Sequence, residues 1–295
     1  MLTMTNPIRR ASVLFSLAAL AFAVGCAPTE ESTSDSDPAQ TTSSLADCTP
    51  EQLDLYKDGT LTVGTDDPAF EPWFKGDDPT NGKGYESAVA YSIADRLGFS
   101  DEEVTWTKVP FNTSYQPGKK DFDFDINQIS ITKARAKAVT FSNPYYSAAQ
   151  AVVALEGSDF AGATSLAELK DAKIGAQVGT TSLEAIDQID PAANPSVYDD
   201  TTAATKALEN GQVDALIADL PSAYYITAAV IDGGTIVGQF QPQTGESEQF
   251  GLLFSKGNPL VSCVNAAIDS LEEDGTLADL EEMWLSQTTG VPELS

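Results

Sequence analysis

The sequence predicts an α/β fold, and three observations lead there. Short apolar runs rich in Val, Ile and Phe recur along the chain, amphipathic stretches with helical periodicity lie between them, and Gly, Asn, Asp and Pro punctuate the junctions. Thr49-Pro50-Glu51-Gln52 reads as a capping box with Pro at the first helical position, and Gly59 as the stop of the short helix it begins. Leu61 to Gly64 reads as a strand. Glu86 to Leu97 carries Val89, Ile93 and Leu97 on one helical face, with Gly98 as its stop. Further strands are predicted at Val104 to Val109, Phe124 to Ile129, Ala151 to Leu155, Lys173 to Gln177, Val213 to Ile217 and Phe250 to Phe254. Helices are predicted at Leu183 to Ile189, Ala203 to Glu209, Ala223 to Val230, Leu260 to Leu271 and Leu277 to Trp284. No short internal repeat interrupts this alternation.

The first residues read as an export and anchoring device. Arg9 and Arg10 form a positive start, and the apolar run Ala11 to Val24 has the length of a signal-peptide core, shorter than the ~20 residues of a membrane span. Ala23-Val24-Gly25-Cys26 resembles a bacterial lipobox, which implies cleavage before Cys26 and lipid on its thiol. An ordinary secretory peptide with an incidental cysteine is the alternative. From Ala27 to Ala46 the chain is mostly Ser, Thr, Asp, Glu, Pro and Ala, a composition that cannot offset its own ordering entropy and reads as a tether.

The remaining chain is long enough for one large domain or two smaller ones, and 42% hydrophobic residues suffice for a core. The formal net charge of −28 becomes two units more negative once Arg9 and Arg10 are removed. Such an excess disfavours nucleic acid and anionic membrane surfaces as partners. With Cys26 assigned to lipid, Cys48 and Cys263 remain as an even pair in an oxidising compartment, open to a disulfide or to two separate thiols.

Four segments place polar residues at strand ends, where open α/β sheets bind small ligands. Gly64 to Trp73 puts two acids and two aromatics in a turn-rich loop suited to a cationic group with an apolar stem, or to a plain solvated turn. Ile126 to Arg135 runs a strand into an expected helix, with Arg135 near its start. A cation there opposes the helix dipole, while its guanidinium fork matches a carboxylate; a surface Arg beside Lys133 and Lys137 is the alternative. Lys173 to Ser182 forms a strand, a tight turn at Gly179 and a helix start, whose free N–H groups and hydroxyls suit an anion or simply cap the helix. It lacks the glycine patterns of nucleotide-binding loops. Asp219 closes a strand, where its carboxylate would hold an ammonium or cap the next helix. Together these groups suit a zwitterion, of which an α-amino acid is the simplest.

In their order and spacing these segments resemble the periplasmic-type polar amino acid binding proteins of ABC importers, the extracellular solute-binding family 3. The resemblance runs from about Leu61 to Leu285 and includes Gly84-Tyr85-Glu86, Ser130-Ile131-Thr132 before Arg135, Phe141-Ser142-Asn143-Pro144-Tyr145-Tyr146, and Asp274-Gly275-Thr276-Leu277 with Trp284. It implies two α/β lobes joined by two hinge strands, with the ligand in the cleft. The implied division is a signal peptide at 1–25, a lipidated tether at 26–48, a discontinuous first lobe at 49–145 plus 250–295, and a second lobe at 146–249 with the hinge segments, crossing near Tyr145 to Ala149 and returning near Glu246 to Phe250.

The resemblance also implies roles: Asp67 and Phe70 as the acid and stacking aromatic of the first loop, Phe111 as the opposite stacking face, Ser130 as a hydroxyl or amide donor, Arg135 on the α-carboxylate, Thr180 and Thr181 at the second-lobe turn, and Asp219 on the α-ammonium. Gln128 and Gln177 join the set as departures, since many relatives carry a small residue at the first and a different polar residue at the second. Placing Cys48 and Cys263 on one lobe favours their disulfide. The implied partners are a polar amino acid and the membrane subunits of an ABC importer, for a monomer anchored through lipid outside the cytoplasmic membrane, with no metal and no cofactor. Two rival functions share the scaffold, a dehydratase of cyclic amino acid precursors and a ligand-sensing receptor component. With no histidine in the chain, nothing nominates a general acid–base pair.

Overall fold

The computed structural model describes residues 44–242, 248–286 and 290–295. The expected signal peptide, Cys26, most of the tether and the return near Glu246 lie outside the described residues. The first lobe opens with β1 (Leu61–Thr65), α1 (Tyr85–Arg96), β2 (Val104–Lys108), the short α2 (Phe111–Ser114) and β3 (Phe124–Asp125), and the chain then enters the long β4 (Val139–Ala148). The second lobe comprises β5 (Gln150–Leu155), β6 (Ile174–Gln177), α3 (Thr181–Ala185), β7 (Ser196–Tyr198), α4 (Thr201–Glu209), β8 (Ala215–Asp219), α5 (Leu220–Tyr225) and β9 (Gly234–Phe240). The chain comes back through β10 (Glu248–Ser255) into α6 (Leu260–Glu273) and α7 (Thr276–Leu285).

Two five-stranded mixed sheets result, in the orders β2-β1-β3-β10-β4 and β7-β6-β8-β5-β9. In the first sheet β1 is parallel to β2 and β3, while β10 runs antiparallel to β3 and β4. Only Ala149 separates β4 from β5, so the chain leaves the first lobe through β4 and re-enters it at β10. This is the two-lobed α/β architecture expected from the sequence.

Local chemistry explains where the elements start. Gly84 holds φ 91° ahead of α1, and a Cβ there would lie 2.4 Å from the Trp73 carbonyl oxygen, so only glycine lets the helix pack this closely. Ser100 and Glu103 form a reciprocal capping box before β2. Thr180 and Asp200 cap α3 and α4 by accepting from Leu183 N and Ala203 N. The first-lobe core centres on Trp73, whose ring meets Tyr85, Tyr146 and Phe250 at centroid distances of 6.1, 5.4 and 5.7 Å.

Several expectations need correction. Thr49 makes no side-chain cap, and Pro50–Gln52 is a single 3-10 turn; Gly59, at φ 70°, closes a later turn that pairs Lys57 with Thr60. The strand expected over Phe124 to Ile129 is confined to Phe124–Asp125, because the backbone turns at Gln128 with φ 47°. No α-helix follows Arg135, only a 3-10 turn at Arg135–Lys137, so the argument from the helix dipole falls away. The helix expected at Leu183 to Ile189 starts at Thr181 and tightens into a 3-10 turn after Ala185, and the one expected at Ala223 to Val230 starts at Leu220 and ends as a π-helix. β7 and β9 had no counterpart among the expected strands, and β4 was expected only as the hinge strand near Tyr145 to Ala149 that the resemblance implied. β4 hides its period because Pro144 sits opposite Gly251 where the register shifts, a position at which a strand tolerates proline.

The final residues also depart from the expected assignment of 250–295 to the first lobe. Glu293 pairs in parallel with Gln239 at the edge of β9, and Leu294 is buried in the second-lobe core against Gly238. Apolar burial at an open sheet edge holds the end of the chain there.

Cys48 and Cys263 form a disulfide with Cα atoms 5.6 Å apart, both within the first-lobe core. The bond closes a loop of 215 residues. Replacing both cysteines with serine is expected to lower unfolding stability by about 2–5 kcal/mol, measured by denaturant titration under non-reducing conditions.

Candidate functional site

The cleft between the lobes is lined from the first lobe by Asp66, Phe70, Glu71, Phe111, Asn127 and Gln128. From the second lobe come Gln177, Thr180, Thr181, Ser182, Thr201, Asp219, Ser222 and Tyr225. The strand ends explain this convergence. β1 and β3 lie parallel and stop together, which puts the loops after Thr65 and after Asp125 side by side; β6 and β8 do the same for the turn at Gly179 and for Asp219.

Seven of the expected residues therefore face the cleft: Phe70, Phe111, Gln128, Gln177, Thr180, Thr181 and Asp219. Asp67 does not. Its carboxylate is mostly exposed and pairs with Lys108 Nζ at 2.9 Å, while its neighbour Asp66 points inward and accepts from Phe111 N at 3.1 Å. The preceding strand carries the explanation. Thr65 is still in β1 and buried, so the side chain that emerges next is that of Asp66. Asp66, Glu71, Asn127, Thr201, Ser222 and Tyr225 were not singled out as ligand-facing, although Asp66 and Glu71 stood in the loop that was.

Arg135 and Ser130 do not line the cleft; Arg135 lies behind it, stacked over the rings of Phe111 and Tyr115 at 5.5 and 4.8 Å from their centroids, and of these rings Phe111 faces the cleft. Its Nη1 donates to Ser130 O and its Nη2 to Gly179 O, each at 2.9 Å, so one guanidinium joins a carbonyl of each lobe. Gly179 is required at that turn: φ is 73°, and a Cβ would lie 2.4 Å from the Tyr115 hydroxyl oxygen. Burial lowers the pKa of Arg135 from its ordinary value, opposed by nearby Tyr115, Glu184, Glu248 and Asp219. Beside it the Ser130 hydroxyl lies 3.1 Å from Thr181 Oγ1 and donates to Glu248 Oε1 at 2.5 Å.

Asp219 precedes α5 but makes no side-chain cap. Its Oδ1 instead accepts from Gln150 Nε2 at 2.8 Å. Burial, and after it the charge of Glu248, raises its pKa well above the ordinary carboxyl range. Gln177 Oε1 accepts from the Thr201 hydroxyl at 2.8 Å, and Thr180 Oγ1 donates to Gln177 O at the same distance.

Glu86, in the Gly84-Tyr85-Glu86 segment, is fully buried beneath the cleft. It accepts from Gln128 N at 2.7 Å, from Gln128 Nε2 and from the Tyr145 hydroxyl, which holds Gln128 in its left-handed conformation. Burial pushes its pKa up to about 7 from 4.5, against the lowering effect of those hydrogen bonds.

These features define a two-lobed binding protein with a small polar cleft. Residues 61–287 match the family of bacterial extracellular solute-binding proteins, family 3, and the chain belongs to that family. Its relatives include the L-cystine-binding protein TcyJ of Escherichia coli, 30% identical over 233 residues that cover 77% of this chain and 82% of that protein. The arginine-binding periplasmic protein of Mannheimia haemolytica is 26% identical over 225 residues, covering 74% of this chain and 89% of its own. Among solved structures, an ancestral arginine-binding protein bound to arginine superposes with a TM-score of 0.64 at 32% identity, covering 77% of this chain and 98% of that one. These relatives are binding proteins, and the chain is a binding protein rather than an enzyme.

A carboxyl whose pKa is raised on folding contributes most at low pH and loses that contribution as pH rises through the folded value. For Glu86 the window runs from 4.5 to about 7. The variant Glu86→Gln is therefore expected to flatten the fall in stability across that window by about 3 kcal/mol. Denaturant titrations at a series of pH values measure the difference.

Proposed function

We propose that the chain captures an α-amino acid between its lobes outside the cytoplasm and delivers it to an ABC importer. The observation that carries this reading is that Arg135 and Asp219 belong to opposite lobes, which meet where the Ser130 and Thr181 hydroxyls lie 3.1 Å apart. A carboxylate would take the guanidinium and the Thr181 turn, and an ammonium would take Asp219. Closure follows from this division, since neither lobe alone neutralises a zwitterion.

The side chain of the ligand would lie between Phe70 and Phe111 and end near Asp66 and Glu71. Glu71 is paired with Lys75 Nζ at 2.9 Å, so Asp66 beside the two aromatic faces is what favours a basic side chain with an apolar stem, in keeping with the arginine-binding relatives. The lipobox-like Ala23 to Cys26 supports attachment of the mature chain to the membrane by lipid on Cys26.

In a thermal-shift screen of the common amino acids and L-cystine, L-arginine and L-lysine are expected to raise the melting temperature most; acidic amino acids giving the largest shifts would reverse the side-chain assignment. Replacing Arg135 with alanine is expected to weaken the best ligand by about 2–5 kcal/mol in calorimetry. Lys137, exposed in the same 3-10 turn, serves as the control, and Lys137→Ala should bind as the parent does.

For the anchor, intact mass of the protein from the membrane fraction is expected to show a chain starting at Cys26 with acyl additions. An unmodified N-terminus would remove that part of the proposal and leave the binding site standing.

A further inference from the structure

Glu248 is the first residue of β10, where the chain passes between the lobes, and it does not line the cleft. Its side chain is nonetheless buried and fully engaged. Oε1 accepts from the Ser130 hydroxyl at 2.5 Å, and Oε2 accepts from Gln150 Nε2 at 2.8 Å. The same amide nitrogen donates to Asp219 Oδ1, also at 2.8 Å. Gln150 is wholly buried at the start of β5, so both hydrogens of one amide are committed to two carboxyl groups.

From this geometry we infer that Glu248 is a positioning residue for the ammonium site, and that capture of a cation at Asp219 expels a proton from Asp219. The inference rests on Asp219 being the ammonium partner.

Two carboxylates tied to one amide repel each other strongly in a poorly solvated site, and a proton held on Asp219 is the simplest relief. The surrounding charges do not supply another. From the first lobe Arg135 faces Asp219 but donates to two backbone carbonyls, while Glu86 of α1, raised to about 7, is mostly protonated below that pH and Tyr146 of β4 is neutral. From the second lobe Gln150 contributes only its dipole. The rise in the Asp219 pKa, due first to burial and next to Glu248, agrees with a proton held there. An arriving ammonium brings one positive charge and one proton leaves, so the buried charge is unchanged by the exchange.

Glu248 also ties this balance to the hinge. It reaches Ser130 of the first lobe and Gln150 of the second from the strand at which the chain re-enters the first lobe. Conversion to Gln keeps the shape and a hydrogen-bonding oxygen but removes the like charge, so Asp219 should ionise at lower pH.

The test is titration calorimetry of the parent protein, Glu248→Gln and Asp219→Asn with L-arginine, then with L-glutamine and L-cystine, between about pH 5 and pH 7, below the titration of an α-amino group. Buffers of different ionisation enthalpy report the protons released. The parent is expected to release protons on binding and to lose affinity toward acid pH, approaching tenfold per unit. In Glu248→Gln the pH of half-maximal loss should fall by about one unit. No proton release by the parent at any pH, or a uniform loss in Glu248→Gln with an unmoved midpoint, overturns the inference while leaving the site reading intact. The Asp219→Asn variant separates the two: loss of binding at every pH supports the ammonium site, whereas parental affinity overturns that site and the inference with it. Absence of heat from all three amino acids does the same.

Discussion

The cleft of this protein is organised by the need to hold several carboxyl groups near one half-buried guanidinium. Charges in such a place interact far more strongly than on the surface, and each must find a partner or give up its charge. Arg135 is held by carbonyl groups from both lobes, so its position depends on closure. Asp219, Glu248 and Glu86 are held by amides and hydroxyls. Every one of those donors belongs to a strand end, a hinge strand or the loop after β3. The fold's mixed sheets are what bring these segments to one point.

Closure also depends on contacts that carry no charge. Trp73 packs at the centre of the first-lobe aromatic cluster while its indole N–H donates to Ser222 Oγ of the second lobe at 2.9 Å. Asn112 Nδ2 reaches Asp199 O across the cleft at 3.3 Å. A neutral hydrogen bond contributes only about 0.5–1.5 kcal/mol, so such contacts choose the geometry of the closed form without making it irreversible. A bound zwitterion touching both lobes has room to decide the balance.

Much of this was legible from residue order. The alternation of apolar strands and amphipathic helices led to the α/β class, and Phe70, Thr181 and Asp219 could be placed at strand ends because those strands are short, apolar and bounded by turn residues, whereas Phe111 came only from the family resemblance. Errors arose where tertiary structure overrides local pattern. Choosing Asp67 over Asp66 required knowing how far β1 extends, and one residue flips a side chain between cleft and solvent. β4 and β9 are poorly marked because one contains Pro144 at a register shift and the other runs Gly234 to Phe240 with two glycines. The short β7 offers too few residues for any period to emerge.

Glu248 and Gln150 were invisible for a different reason. Neither stands in a motif, and each reads alone as a polar residue beside a strand. They acquire meaning only because Gln150 pairs with Asp219 in the antiparallel ladder of β5 and β8, while Glu248 pairs with Ala148 in that of β10 and β4. Since Ala148 and Gln150 are separated by a single residue, the two ladders bring Glu248 and Asp219 to the same turn of backbone. The hinge and the ammonium site are thus one piece of structure, and a change in charge at Asp219 is felt by the strand on which the lobes move. That coupling needs no pathway of intermediate residues: one buried amide connects the two carboxyl groups.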